Sequence, residues 1–466
     1  MKRRLIAVLL ALCAACSSGD LPPASSTPLP PAHTQATPTP TAPGTPEPEP
    51  TRAIQVDTAA LDGVTVTFWH VWDGARGALI NAFVAEFNAQ NPYGITVAAT
   101  RQPDIHNAVR AALAAGTPPD VATGFNHHTR NWAGIGAGLV DLTGYATDPA
   151  YGFSSAELAD FYPLFWGQDM DGGLALPFYR TADALFYNTT WARELGFDAP
   201  PATPADLQIQ TCAANAAKRQ DTDLGNDATG GLMLGFEPGA LAAWLYAFGG
   251  GLEPFTEGNA YGFDRPENAN AFRFLRGLLD TNCAWVPEGQ PPHEPFAARQ
   301  GLLFPATLGS TLTQEAILAS AGLGDEWAVI PYPAVDGAPA ALVSGPGLAL
   351  FATTAERQLA GWLFIQWLVS TDNLMRWSEA TGYFPVRASA FEALADFRGQ
   401  HPAWAGLEAV IPVGRAFPVV ESWPNVQWVV SDAAQVLFAP LVTLDEIPAL
   451  LAELQLTAEE VAGLNR

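Results

Sequence analysis

Cysteine is scarce in this chain, with four in 466 residues. Two of them, Cys13 and Cys16, fall in the first sixteen positions. The remaining pair, Cys212 and Cys283, belongs to no CxxC or Cys/His spacing, which excludes the usual zinc scaffolds. Basic residues are also few: 22 Lys and Arg against 47 Asp and Glu give a net charge of −25. Binding a phosphate backbone needs a basic face, so nucleic acid is excluded as a partner. The acidic balance reads instead as solubility outside the cell. Beyond the amino terminus, no apolar run reaches a membrane span without a charge or breaker. Internal repeats, a nucleophile elbow, a phosphate loop and a zinc motif are all missing.

What is present begins with an export signal. Lys2, Arg3 and Arg4 precede the apolar run Leu5–Leu12, and Ala14-Ala15 precedes Cys16. This n-region, h-region and small-residue order predicts a signal peptide over residues 1–16. The small-small-Cys ending resembles the lipobox of bacterial lipoproteins and implies acylation of Cys16. Cys13 stands where leucine is commoner, and an ordinary secretory signal cut nearby is the alternative. Residues 17–60 follow as a Pro/Thr-rich tether, with eleven prolines between Leu21 and Pro50. Such a composition buries too little apolar surface to offset its ordering entropy. A lipid followed by a spacer predicts a location on the outer face of the bacterial cell membrane.

About 400 residues, 61–466, remain for the folded part, enough for two lobes. The exported context predicts that Cys212 and Cys283 pair, with two separate buried thiols as the alternative. The opening pattern alternates strand and helix. Val64, Val66 and Phe68 alternate with Thr65 and Thr67, and then Leu79, Ile80, Phe83, Val84 and Phe87 recur at helical spacing. Ile95–Val97, Ile105–Ala115 and Pro119–Ala122 continue as strand, helix and strand. This βαβαβ order predicts an α/β protein with mostly parallel sheets flanked by helices. Ligands of open α/β sheets bind at the carboxyl ends of the strands. That rule places Trp69, His70, Trp72 and Asp73, just after the first strand, where a ligand would be met.

Several ordered pieces carry a family resemblance. "VTFWHVWDG", "FVAEFNAQNPYGITV", "ALAAGTPPDVAT", "GGLALPFYRTADALFYNTTWARELGFDAPPATPADL", "EWAVIPYP", "GPGLALF", "AGWLFIQWL" and "TGYFPVR" together resemble the extracellular solute-binding proteins of ABC importers for sugars and glycerol phosphate. The resemblance spans residues 62–440. It implies a two-lobed periplasmic-binding-protein fold of type II-like character, with a hinge and an interlobe cleft. It places lobe one at about 62–172 and 324–371, and lobe two at about 173–323 and 372–466. It further implies no catalysis, no cofactor and a monomer. The partners it implies are a small carbohydrate and the transmembrane subunits of an ABC permease.

A sugar offers apolar C–H faces to aromatic rings and hydroxyls to planar polar groups. The resemblance and the loop positions together nominate Trp69, His70, Trp72, Asp73 and Asn126 from the first lobe. Tyr179 and Tyr187 flank the crossing, and Trp244, Gly309, Ser310, Gly382 and Tyr383 complete the set. For His70 and Trp244, core packing is the alternative; Trp191, Trp327, Trp362 and Trp367 read as core. His127 and His128 follow strand three without carboxylates in register, so no metal is expected. Asp221, Asp223 and Asp227 suggest a calcium loop but lack the glutamate at position twelve, and read as a solvated turn. In the glycerol-phosphate branch an arginine contacts the phosphate within a stretch similar to "SWPNVQWVVSDA"; Gln427 occupies that place here. Losing a bidentate cation favours a neutral sugar or oligosaccharide, although Arg180, Arg387 or Arg415 can compensate. A secreted glycoside hydrolase is the alternative from another class, and would need two converging carboxylates from among Asp73, Asp120 and Glu237. A surface adhesin would show repeats and exposed aromatic rows.

Overall fold

The computed structural model describes residues 54–463, apart from 137, 253–260, 288, 323, 419 and 421. The expected signal peptide, Cys16 and most of the tether lie outside the described residues. The last tether positions are part of the folded body: the Ile54 amide donates to Asp148 at 3.2 Å, and Thr58–Leu61 forms a short 3-10 turn.

The chain opens as its pattern predicts. Thr65–His70 (β1) leads to Gly74–Gln90 (α1), Thr96–Arg101 (β2), Ile105–Ala114 (α2), Val121–Gly124 (β3) and Asn126–Ala133 (α3). β1 pairs in parallel with both β2 and β3. Strand alternation sends Val66, Phe68 and His70 into the core, and α1 covers that face with Ile80, Phe83, Val84 and Phe87. The first sheet runs β2-β1-β3-β11-β4, with β4 at Leu176–Pro177 and β11 at Gly347–Leu350.

A ten-residue strand, Tyr179–Asn188 (β5), organises the second sheet. Its other members are Gly230–Met233 (β6), Ala284–Trp285 (β7), Gly301–Thr307 (β8), Trp327–Ile330 (β9), Ala341–Ser344 (β10), Phe384–Pro385 (β12) and Gly414–Arg415 (β13). β5 pairs antiparallel with β8, β9, β10 and β12 along its length. β6 pairs in parallel with β7 and β8. Both sheets are therefore mixed rather than mostly parallel. The two connections between the sheets run in opposite directions, so β4 pairs antiparallel with β11 and β5 with β10. β9 and β10 belong to the second sheet, so the chain rejoins the first sheet at Gly347, later than the expected 324.

Two crossings lie side by side. One is Phe178, between β4 and β5; the other is Gly345-Pro346, between β10 and β11. The Phe178 amide donates to the Pro346 carbonyl at 3.2 Å, tying them together. A β-carbon on Gly345 would lie 2.1 Å from the Tyr179 carbonyl oxygen, so the close approach requires glycine. Beside them, the buried Arg180 guanidinium donates to Asp169 at 2.6 Å. In the second half, a disulfide joins Cys212, on the helix Pro204–Gln220, to Cys283 beside β7.

Candidate ligand cleft

A cleft of about 780 Å³ opens at the carboxyl edge of the first sheet. Its first wall consists of Val71 after β1, Pro103–Asn107 and Arg110 after β2, and His128 and Asn131 on α3. Its second wall comes from two helices near the carboxyl terminus. Ser422, Pro424, Asn425, Gln427 and Trp428 line it from the start of the helix Trp423–Leu437. Val461 and Ala462 line it from the end of the helix Ile447–Val461.

Periodicity explains why Trp428 faces the cleft. The buried stripe of its helix is Trp423, Val426, Val430, Ala434 and Leu437. Trp428 lies off that stripe and is 57% exposed. A large aromatic ring held open in a concave site is costly to leave in water and suits a ligand with an apolar face.

The first wall presents imidazoles. His106 and His128 stack with centroids 4.6 Å apart, and His128 packs on Trp132 at 5.9 Å. His127 meets His128 edge-on at 4.5 Å. Burial lowers His127 to about 3 and His128 to about 2, with smaller repulsion from neighbouring imidazoles, so both are neutral at ordinary pH. Asp104 is occupied as the cap of α2, accepting from the Asn107 amide at 3.2 Å and Nδ2 at 2.9 Å. Arg110 reaches Asn107 Oδ1 at 3.5 Å and forms no ion pair among the described residues. The wall thus offers planar polar groups and rings with little net charge. Among the described residues, no group of three or more His, Cys, Asp or Glu side chains is placed to hold a metal.

Of the residues nominated from sequence, Gln427 lines this cleft. Asn126 starts α3 and borders a much smaller pocket with Phe125, Gln168, Ser344 and Phe417. Trp69 is half-buried against the cluster containing Ile105 and Trp132. His70, Trp72 and Tyr179 are buried and are not among the residues lining this cleft. Trp72, 5% exposed, stacks on His70 at 5.6 Å, meets Trp377 at 5.0 Å, and donates from Nε1 to the Tyr179 hydroxyl at 3.3 Å. Tyr179 stacks on Tyr383 at 4.3 Å, and the Arg76 guanidinium lies 4.7 Å over Tyr383. Burial lowers His70 to about 4, with Arg101 adding to the effect. Gly309 packs against the Tyr383 ring, where a β-carbon would come within 2.6 Å. Ser310 sits 3.5 Å from Thr307 Oγ1. Gly382, at φ 70°, is the left-handed cap of the helix Thr371–Thr381.

Tyr187 and Trp244 are likewise buried away from the cleft lining. Tyr187 donates to Gln210 Oε1 at 2.8 Å inside the second core. Trp244, 1% exposed, sits in the fully buried helix Pro238–Ala247 against Tyr332. Asp73 is exposed and paired with Arg101 at 2.7 Å. Asp120 is buried, accepting from the Thr67 amide at 2.7 Å and from Arg357 at 2.6 Å. Asp221 and Asp223 close their own turn, Asp221 accepting from the Asp223 amide at 2.7 Å and Asn226 Nδ2 at 3.0 Å. Neither Arg180, held by Asp169, nor Arg387, held by Asp160 at 2.7 Å, reaches the cleft. Arg415 lies over Tyr246 at 5.2 Å.

A family model for the bacterial extracellular solute-binding proteins matches residues 82–410. The chain belongs to that family. Its members serve ABC transporters as substrate-binding components. The chain is similar to the sn-glycerol-3-phosphate-binding periplasmic protein of Escherichia coli (strain K12), with 23% identity over 354 residues, covering 70% of this chain and 75% of that one. The corresponding Agrobacterium fabrum protein is 23% identical over 376 residues, covering 75% and 80%. Among solved structures, the sugar-binding protein MalE of Xanthomonas citri superposes with a TM-score of 0.72 at 21% identity, covering 86% of this chain and 98% of that one. The cyclic alpha-maltosyl-1,6-maltose binding protein of Arthrobacter globiformis gives 0.69 at 22%, covering 85% and 98%. These structural neighbours establish the two-lobed fold. The family is extracellular or periplasmic, and no helix among the described residues is long and apolar enough to cross a membrane.

Proposed function

We propose that this family member captures a neutral oligosaccharide in the cleft between its halves and delivers it to an ABC permease. The observation that carries this reading is Trp428, a ring 57% exposed at a cleft of about 780 Å³ whose other lining groups are mostly uncharged. Gln427 stands on the same wall, offering an amide where phosphate recognition would favour a guanidinium. The halves, one built on each sheet with joints at Phe178 and Gly345-Pro346, close on the ligand by bending there. Cys16, acylated, holds the body near the permease through the proline-rich segment, and the body works as a monomer. A hydrolytic reading finds no pair of acids at the cleft: Asp73 is ion-paired, Asp120 is buried with Arg357, Glu237 neighbours the buried Asp183 away from the cleft lining, and the carboxylate lining the cleft, Asp104, is a helix cap.

Arg110 favours a second reading, glycerol phosphate or a related polyol phosphate, because it is a cation at the cleft without an ion pair among the described residues. A thermal-shift screen separates the two. Ligand at a hundredfold above Kd stabilises by about 2.7 kcal/mol. Oligosaccharides are expected to raise Tm and glycerol-3-phosphate to leave it unmoved. A shift with glycerol-3-phosphate alone reverses the order of the readings, and no shift with any of them rejects both.

A further inference from the structure

We infer that a second surface, an apolar groove between the two carboxyl-terminal helices, docks a basic amphipathic helix of a partner protein. The groove lies between the helices Trp423–Leu437 and Ile447–Val461 and has a volume of about 400 Å³. Val429, Ala433 and Val436 line it from the first helix, and Leu450, Leu454 and Thr457 from the second. Each set recurs at intervals of three or four residues, so the groove follows both helices for about two turns, roughly 10 Å. It shares no lining residue with the ligand cleft. Val436 is 53% exposed, so the apolar floor opens to solvent.

Charge then decides what fits. Asp432 and Glu453 stand at the groove, one on each helix, and neither is ion-paired among the described residues. From Ala416 to Asn465 the sequence has seven Asp and Glu and no Lys, Arg or His. A long apolar groove takes the apolar stripe of a helix at i, i+3 or i+4, and i+7. Lysines or arginines flanking that stripe then meet the two free carboxylates. The same acids argue against the other occupants. A second copy would set them against themselves, and an anionic membrane surface would repel them. Residues 17–53 of this chain carry a single cation, Arg52, and lack the charge that the rim asks for.

The test is fluorescence anisotropy of a labelled helical peptide of about fifteen residues, leucines on one stripe and lysines beside it, titrated with the full chain. It is expected to bind at least about tenfold more tightly than a scrambled peptide of the same composition, or than one with glutamates in place of the lysines. Val436→Asn is expected to weaken binding about fivefold to tenfold. The double variant Asp432→Lys and Glu453→Lys is expected to weaken the lysine peptide about tenfold and to prefer the glutamate peptide, a gain that misfolding cannot produce. Circular dichroism and Tm of each variant separate lost docking from lost fold. No binding of the lysine peptide to the folded protein, equal binding of the scrambled peptide, or affinities unmoved by the charge reversal overturns the proposal. A dimer in sedimentation velocity that Val436→Asn dissolves also overturns it, because the groove is then an interface between copies.

Discussion

The two walls of the cleft are built in different ways. The first is a set of loops and helix starts at the carboxyl ends of β1, β2 and β3, so its position follows from topology alone. The second is the side of one helix and the tip of another, placed by how the chain's last segment packs on the second core. A strand-edge site is found by knowing where strands end. A helix-face site is found only by asking which aromatic departs from the buried stripe. Trp72 and Trp428 make the contrast concrete: the first sits at the predicted edge yet is buried, and the second sits on a late helix and is open.

The largest effect should fall on that pair. Trp72→Ala removes a buried ring that touches His70, Trp377 and Tyr179, and is expected to cost about 3–5 kcal/mol of stability in denaturant unfolding. Trp428→Ala is expected to change stability by less than about 0.5 kcal/mol. Equal losses in the two variants would erase the distinction.

Buried ionisable groups sharpen it next, because a buried acid and buried imidazoles respond to pH with opposite sign. Asp183 on β5 is raised to about 7 by burial and by Glu237. Its unfolded-state value is lower, so stability is greatest in acid and falls as pH rises from about 4 to about 7. Asp183→Asn is expected to stabilise the protein at pH 8 by about 2–4 kcal/mol and to flatten that slope. In the first half, His127 is lowered to about 3 and His70 to about 4, chiefly by burial. Their unfolded-state values are higher, so this contribution is lost as pH falls from about 6.5 toward 4. His127→Asn is expected to reduce the acid-side loss by roughly 1–3 kcal/mol, read from unfolding curves at pH 7 and pH 4.

The smallest effect belongs to Asp73→Asn. It breaks an ion pair with Arg101 in which both side chains are largely exposed, and is expected to cost about 0–1 kcal/mol, less at high salt.

Much of the fold was legible because hydrophobic spacing is local. Val66 and Phe68 alternate, and Ile80, Phe83 and Phe87 form a stripe, whatever surrounds them. The pairing of β9 and β10 with β5 was not legible, since nothing in 327–344 states which sheet a short apolar strand joins. The site was half legible. Gln427 was reached through a resemblance, and the edge after β1 through topology. Trp72, Tyr187 and Trp244 are buried, because aromatic residues near a predicted edge serve packing as readily as recognition. Trp428 carried a readable signal, its departure from the spacing of Trp423, Val426, Val430 and Ala434. Arg110 and His106 carried none, since their meaning depends on walls far apart in sequence.

The central claim is that a ligand is held between two halves that close on it. Small-angle X-ray scattering of the protein with and without a saturating oligosaccharide tests this most directly. A smaller radius of gyration on binding, absent in Trp428→Ala at the same sugar concentration, is the predicted result. Binding established by titration with no change in the radius would contradict it.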